Sequence, residues 1–243
     1  MIIAEIGRNH LGKIDLANKY IDELLLTKVD GISFQIREKE YYQTSEKKIF
    51  QWDTSNYLNL SIKIKKGKKK FGMALADPSL VNFFESIGTD FYKVIRNDIK
   101  NEELISELIK TKKKIFISTG MCSDDDISNF IEKYGKLDNI TLNHTQLSNS
   151  VKDCNLKSIQ SMKKYGLQVS YGNHCENKNV LYMALMFNPS DIMFYVKACN
   201  KLKYPDDKHA IILNTVGNVI DNLNTLKKAK GNGLKIKMEN TIK

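Results

Sequence analysis

Long hydrophobic runs are missing from this 243-residue chain. No stretch approaches the roughly 18 consecutive apolar residues of a membrane-spanning helix, so no such helix and no membrane partner are expected. Met1 leads straight into a short apolar segment that already holds Glu5. A secretory leader needs a basic start and a longer apolar stretch, so none is expected. Cysteine is sparse: Cys122, Cys154, Cys175 and Cys199, with no Cys-x-x-Cys pair. That spacing excludes a zinc frame or disulfide framework and reads as the reduced thiols of a cytoplasmic protein. Arginine is scarcer still. Arg8, Arg37 and Arg96 stand among 38 basic residues, and the net charge of +10 is almost all lysine, spread along the chain. Nucleic-acid readers favour arginine and clustered charge, so nucleic acid is not an expected partner. The densest basic run, Lys63 to Lys70, is interleaved with Ile64 and Gly67 and reads as a solvated helix end and its turn. No Gly-x-Gly-x-x-Gly loop is present, and no low-complexity linker divides the chain.

What is there is 42% hydrophobic residues, enough for a real core. They fall in a strict alternation of strand and helix. Strands are predicted at Ile2–Glu5, Gly31–Gln35, Phe71–Leu75, Asp90–Ile95, Ile115–Thr119, Asn139–Asn143, Gln168–Tyr171 and Asp191–Val196. Helices are predicted at Asp15–Lys28, Tyr57–Lys66, from Pro78 after an Asp77 N-cap, at Glu102–Lys110, after Ser123, at Leu156–Tyr165, Val180–Phe187 and Asn214–Lys228. Eight such units in about 250 residues predict an α/β fold, a single-domain (β/α)8 TIM barrel. The alternative, a doubly wound open sheet, lacks its phosphate-binding loop. An insertion from Ile36 to Asp53 carries Tyr41, Tyr42, Phe50 and Trp52.

In such a barrel chemistry gathers where strands end. Those positions are polar throughout: Glu5 and Arg8 to His10; Gln35 and Arg37; Asp77; Lys93, Arg96 and Asp98; Ser118, Thr119 and Asp124. Asn143 to Gln146, Asn173 with His174 and Glu176, and Tyr195, Lys197 and Asp206 to His209 complete the ring.

Several of these segments resemble one family. Ala4-Glu5-Ile6-Gly7, then Asn9-His10 and Gly12, resembles the opening signature of the N-acetylneuraminate (sialic acid) synthases. Asp30-Gly31-Ile32-Ser33-Phe34-Gln35 resembles that family's second strand, Phe91-Tyr92-Lys93 its fourth, and Ile117-Ser118-Thr119-Gly120-Met121 its fifth. Asn155-Leu156, Gly172-Asn173-His174 and the Pro205-Asp206 segment with Lys208 continue the match in order.

The resemblance implies a reaction. Phosphoenolpyruvate condenses with an N-acylated amino sugar in its open-chain aldehyde form, giving a nine-carbon keto acid and phosphate. It implies a divalent metal, manganese or similar, held by two histidines. Position by position it implies Glu5 for proton transfer, Gln35 as a substrate contact, Lys93 on phosphoenolpyruvate, Ser118 on phosphate, His174 as first metal ligand and Asp206 as a catalytic acid. Asn9, Thr145, Gln146, Asn173 and Lys208 are implied as further substrate contacts.

The chain departs from the pattern at several positions. Ser33 replaces a lysine and Ala74 a threonine. Arg96 stands where a serine is usual, bringing a guanidinium fork suited to phosphate or carboxylate. Strand six reads Asn143-His144-Thr145 with Gln146 following. Gly172 and Asn173 replace a serine and an aspartate. Met193-Phe194-Tyr195 replaces the Glu-x-His of the second metal ligand, and Asp207 replaces a histidine. His144 therefore becomes the candidate second imidazole beside His174, with His10 or Asp206 as a third ligand.

The family also carries a C-terminal antifreeze-like domain that completes a homodimer. This sequence reads as barrel only, through Lys243, so a homodimer or a separate partner chain is the expected supplement. The aromatic insertion is the candidate lid. Two other readings stay open: a lyase or aldolase using Lys93 as a Schiff base, and a non-catalytic sugar-binding barrel.

Overall fold

In the computed structural model, residues 1–96 and 98–235 are described; the expected end of the domain, residues 236–243, lies outside them. Eight parallel strands run β1 Ile2–Gly7, β2 Gly31–Ile36, β3 Lys70–Leu75, β4 Phe91–Val94, β5 Lys114–Ser118, β6 Ile140–His144, β7 Gln168–Asn173 and β8 Ile192–Lys197. They hydrogen-bond in sequence order, and β1 also pairs with β8, which closes the barrel. A two-residue strand, β9 (Ile211–Ile212), adds to the top of β8.

The helices are α1 Ile14–Leu25, α2 Ser45–Lys48, α3 Thr54–Lys66, α4 Val81–Ser86, α5 Glu102–Lys110, α6 Asp124–Tyr134, α7 Ser158–Ser161, α8 Asn179–Ala184 and α9 Val216–Ala229. The α/β barrel expected from the alternation is thus observed. Several helices are shorter than their hydrophobic pattern predicts. Leu156–Tyr165 resolves into α7 and a 3-10 turn, and Val180–Phe187 ends in another. No helix among the described residues is long and apolar enough to cross a membrane.

Local signals explain the boundaries. Asp77 accepts a hydrogen bond from Ser79 N, with Pro78 opening the turn before α4. Ser123 and Asp126 form a reciprocal capping box at the start of α6. Asn101 caps α5, whose Leu104, Ile105 and Leu108 are buried, about 1.5–3 kcal/mol each.

Alternation along the strands separates two cores. Outward-facing Ile32, Phe34, Ile115, Leu142 and Phe194 pack beneath the helices. Inward-facing Ile3, Phe91, Phe116 and Met193 form a separate cluster that fills the lower barrel. Gly72 is required there: a Cβ would lie 2.1 Å from the Phe91 ring. The barrel is therefore plugged below, and only its upper end is open to chemistry.

Candidate active site

The inward row continues upward as polar side chains. Glu5 on β1 neighbours Tyr195 on β8, and Ala74 on β3 neighbours both Gln35 and Lys93. Above the apolar plug these groups open into a cavity of about 200 Å³. Gln35, Lys93, Ser118, His174, Tyr195 and Asp206 line its floor and walls. Arg8, Arg37 and Arg96 complete it, so every arginine of this lysine-rich chain reaches one pocket.

The floor is an ion pair. Lys93 Nζ donates to both Glu5 oxygens at 2.7 and 2.8 Å, with each side chain only 4% exposed. Lys93 also lies 5.6 Å from the Tyr195 ring. Gly7, at φ 54°, lets the chain turn over Tyr195, where a Cβ would approach to 2.8 Å.

The arginines are braced by the insertion expected to act as a lid. The Arg8 and Arg37 guanidiniums both lie over the Tyr41 ring, 4.7 and 4.5 Å from its centre, and the Tyr41 hydroxyl is hydrogen-bonded to Arg8. Arg37 forks onto Glu38, whose other neighbour is Arg96 at 3.6 Å. A carboxylate thus already sits between two guanidiniums, an arrangement suited to oxyanions. The insertion is pinned by Trp52, which donates to Gly12 O at 2.9 Å and stacks on His10 at 3.7 Å.

Asp206 comes from the loop after β8. Burial raises its carboxyl to about 6, against the pull of the Arg8 guanidinium. Its Oδ2 is buried without a partner. A carboxyl of that kind exists in both forms near neutrality and suits proton transfer.

Among Arg96 and the residues given roles by the family resemblance, Gln35, Lys93, Arg96, Ser118, His174 and Asp206 line this pocket, and Glu5 lies behind it, bonded to Lys93. The others do not line it. Asn9 is fully buried; its amide donates to Val196 O at 2.8 Å and accepts from Asp206 N at 3.2 Å. It ties the first loop to the last strand and holds Asp206 in place, so its expected substrate contact is corrected to a structural one. Asn173 faces the helix layer, bonded to the Tyr171 hydroxyl and Cys175 O, and is corrected likewise. Thr145 is buried and bonds His174 Nδ1 at 2.6 Å, which orients the imidazole rather than a substrate. Gln146 is half-buried and Lys208 exposed, and neither lines the cavity.

The expected metal pair does not form. His144 is one residue out of phase with the inward row, Thr141, Asn143 and Thr145. Its ring stacks near Tyr171, and its Nε2 donates to Cys154 O at 3.0 Å. His10 is buried under Trp52, with Nδ1 accepting from Gly12 N. Neither can join His174. Among the described residues no group of three or more His, Cys, Asp or Glu side chains could hold a metal ion.

One imidazole near the site had been assigned no role. His209 lies against His174, ring centres 4.7 Å apart, with Nε2 3.8 Å from Asp206 Oδ1. Burial lowers it to about 4. Burial first, then His209 and Lys93, hold His174 well below the ordinary imidazole value. The only signal for His209 was its being one of four histidines, in a strand-end loop.

A family model described as the NeuB family matches residues 17–235. The chain belongs to the NeuB family. This NeuB barrel is 26% identical over 262 residues to N,N'-diacetyllegionaminic acid synthase of Campylobacter jejuni, covering 97% of this chain and 78% of that protein. It is 22% identical over 258 residues to pseudaminic acid synthase of the same organism, covering 96% and 75%. Among solved structures, N-acetylneuraminic acid (sialic acid) synthetase of Leptospira borgpetersenii, in complex with citrate, superposes with a TM-score of 0.89. Identity there is 24%, over 98% of this chain and 87% of that one, and the likeness shows the shared barrel.

Proposed function

We propose that this NeuB-family barrel is a nonulosonic acid synthase. It condenses phosphoenolpyruvate with an N-acylated amino sugar in its open-chain aldehyde form. The observation that carries this reading is the convergence of Lys93, Arg8, Arg37 and Arg96 with Ser118 and Asp206 on one small cavity, with Glu5 paired to Lys93 behind it. Phosphoenolpyruvate brings two anionic groups, and a cationic cleft with a hydroxyl donor is what binds them. The names of the two Campylobacter relatives, both nonulosonic acid synthases, support the same class.

In this reading Lys93, Arg96 and Ser118 grip the phosphate and carboxylate. Arg37 and Arg8, stiffened by Tyr41, close the mouth over the sugar. The enol carbon of phosphoenolpyruvate attacks the aldehyde carbon, forming the carbon–carbon bond. The carbonyl electrons move to the aldehyde oxygen, which takes the Asp206 proton. Water adds to the adjacent carbon and gives its proton to Glu5. The phosphate bond then breaks, leaving inorganic phosphate and the keto acid. Holding both partners together supplies much of the rate by proximity. A divalent cation, where bound, would polarise the aldehyde; the expected His174–His144 pair does not fit one, so no step is routed through it.

The test is phosphate release from phosphoenolpyruvate with a panel of N-acylated hexosamines and manganese. Release with at least one sugar is expected. Folded protein that releases none with any of them overturns the reading.

A further inference from the structure

The inward positions of strand eight are Met193 and Tyr195. The Glu-x-His implied by the family resemblance would set a carboxylate and an imidazole there. This chain instead buries Met193 in the apolar plug. Tyr195 stands directly above it, beside Glu5 in the β1–β8 ladder, and lines the cavity.

The phenol is wedged in place. Its ring stands edge-on to His174 and His209, with 5.5 and 5.2 Å between ring centres. Lys93 Nζ lies 5.6 Å from its centre. A Cβ on Gly7 would meet Tyr195 Cε1 at 2.8 Å and Asp206 Oδ2 at 3.6 Å, so the phenol edge and that carboxyl oxygen border one point. Asp206 Oδ2 is buried there without a partner. The hydrogen bonds that build the site run elsewhere, from Lys93 to Glu5, between Thr145 and His174, and from Asp206 N to Asn9. None among the described residues engages the Tyr195 hydroxyl.

A protein side chain binds a metal ion through a deprotonated atom. Burial first, then the Glu5 and Asp206 carboxylates, raise Tyr195 well above the ordinary tyrosine value, against the pull of Arg8. The residue at the strand-eight position is thus a neutral phenol, a hydrogen-bond donor rather than a ligand. A fixed hydroxyl donor in a closed site is one of the groups that stabilise a developing oxyanion.

We propose that the Tyr195 hydroxyl donates to the aldehyde oxygen of the sugar and polarises it, so that condensation in this chain proceeds without a divalent cation. The inference rests on the synthase reading and names its electrophilic group. Tyr195 keeps its own proton throughout. As the enol carbon bonds to the aldehyde carbon, the carbonyl pair moves onto the oxygen held by Tyr195, and Asp206 delivers the proton that this oxygen takes up.

The full chain is stripped with a chelator, and plasma mass spectrometry confirms that metal is far below one equivalent. Phosphate release from phosphoenolpyruvate with the hexosamine panel is then measured with chelator present and with Mn2+ added. The two rates are expected to agree within about twofold. Tyr195→Phe removes one oxygen, and kcat is expected to fall about 100-fold, the usual loss for one oxyanion donor. Its KM for phosphoenolpyruvate should stay within about threefold of wild type, since the lost contact is to the sugar. Circular dichroism checks that the variant folds; should it not, the chelator comparison decides. Release confined to the Mn2+ arm overturns this inference and leaves the synthase reading standing. A folded Tyr195→Phe protein that keeps kcat within about tenfold of wild type also overturns it. No release in either arm with any sugar overturns the synthase reading and this inference with it.

Discussion

Glu5 and Lys93, on strands β1 and β4, meet across the inside of the barrel, the ammonium touching both carboxylate oxygens at 2.7 and 2.8 Å. Each is 4% exposed, so neither is solvated without the other. Removing one partner of such a pair leaves a buried charge and costs about 3–5 kcal/mol, whereas replacing both by apolar groups of similar volume is often tolerated. Glu5→Gln and Lys93→Met are each expected to lower stability by that order in urea titrations. Glu5→Leu with Lys93→Met is expected to recover most of it. All three should lose phosphate release by roughly 100-fold or more, because the double variant restores packing and not proton transfer. The same contact argues against Lys93 as a Schiff-base nucleophile, since both Glu5 oxygens already hold its amine. Borohydride reduction with keto acids is expected to leave Lys93 unmodified, as read by mass spectrometry.

Arg96 sits at the pocket rim, 47% exposed, with its backbone in the left-handed region at φ 49°. On the proposed reading its guanidinium contributes binding more than stability. A hydrogen bond to a charged group is worth about 1.5–3 kcal/mol, roughly 10- to 100-fold in affinity. Arg96→Ala is expected to weaken phosphoenolpyruvate binding by that factor in calorimetry. Arg96→Gly should bind as weakly yet fold at least as stably, because glycine accepts that backbone conformation freely. A folded Arg96→Ala protein that binds phosphoenolpyruvate normally would remove Arg96 from the site.

The barrel was legible because eight short apolar strand segments alternate with helical ones, a pattern few folds share. The inward carboxylate and lysine were legible as strand-end residues within matched motifs. One source of error is register. A strand's extent can be read from sequence to within a residue or two, but a shift of one residue moves a side chain to the opposite face. His144 shows this: one place beyond Asn143, it belongs to the helix layer. Asn9 was misread for another reason. Its partners, Val196 and Asp206, lie 187 and 197 residues away, and no local pattern announces them. His209 lies in a loop without periodicity, so its meeting with His174 is visible only in three dimensions.

Asn9 supports a prediction of its own. Its carboxamide uses both ends, one on β8 and one on the backbone of Asp206. Asn9→Ala leaves a buried carbonyl and a buried amide unpaired, about 1–3 kcal/mol each. It should lower the melting temperature and, because the Asp206 loop loses its anchor, reduce kcat more than it raises KM for phosphoenolpyruvate. A variant destabilised to that degree with kcat unchanged would separate Asn9 from Asp206.

Asp191 tests the opposite end of the barrel, just before β8, away from the pocket. Its carboxylate accepts from the Met1 ammonium at 2.9 Å, Lys114 Nζ at 2.6 Å and the Ser190 hydroxyl at 2.7 Å, with 1% of the side chain exposed. Burial alone would raise its pKa; the bonds from Lys114, the N-terminus and Ser190 outweigh it and hold the carboxyl below its ordinary 3.8. A depressed folded-state pKa stabilises the fold fully above the unfolded value and loses that contribution as pH falls through the folded one. Unfolding free energy should therefore show no Asp191 contribution to its slope above pH 3.8, then decline below it. Asp191→Asn removes the linked proton, so the difference between wild type and variant is expected to shrink as pH falls below that value. At neutral pH the variant should be about 3–5 kcal/mol less stable, with Lys114 and the N-terminus left uncompensated. Pocket geometry should be untouched, so phosphoenolpyruvate affinity in the folded variant is expected to match wild type; a difference that stays constant from pH 6 down to about 2 would refute the linkage.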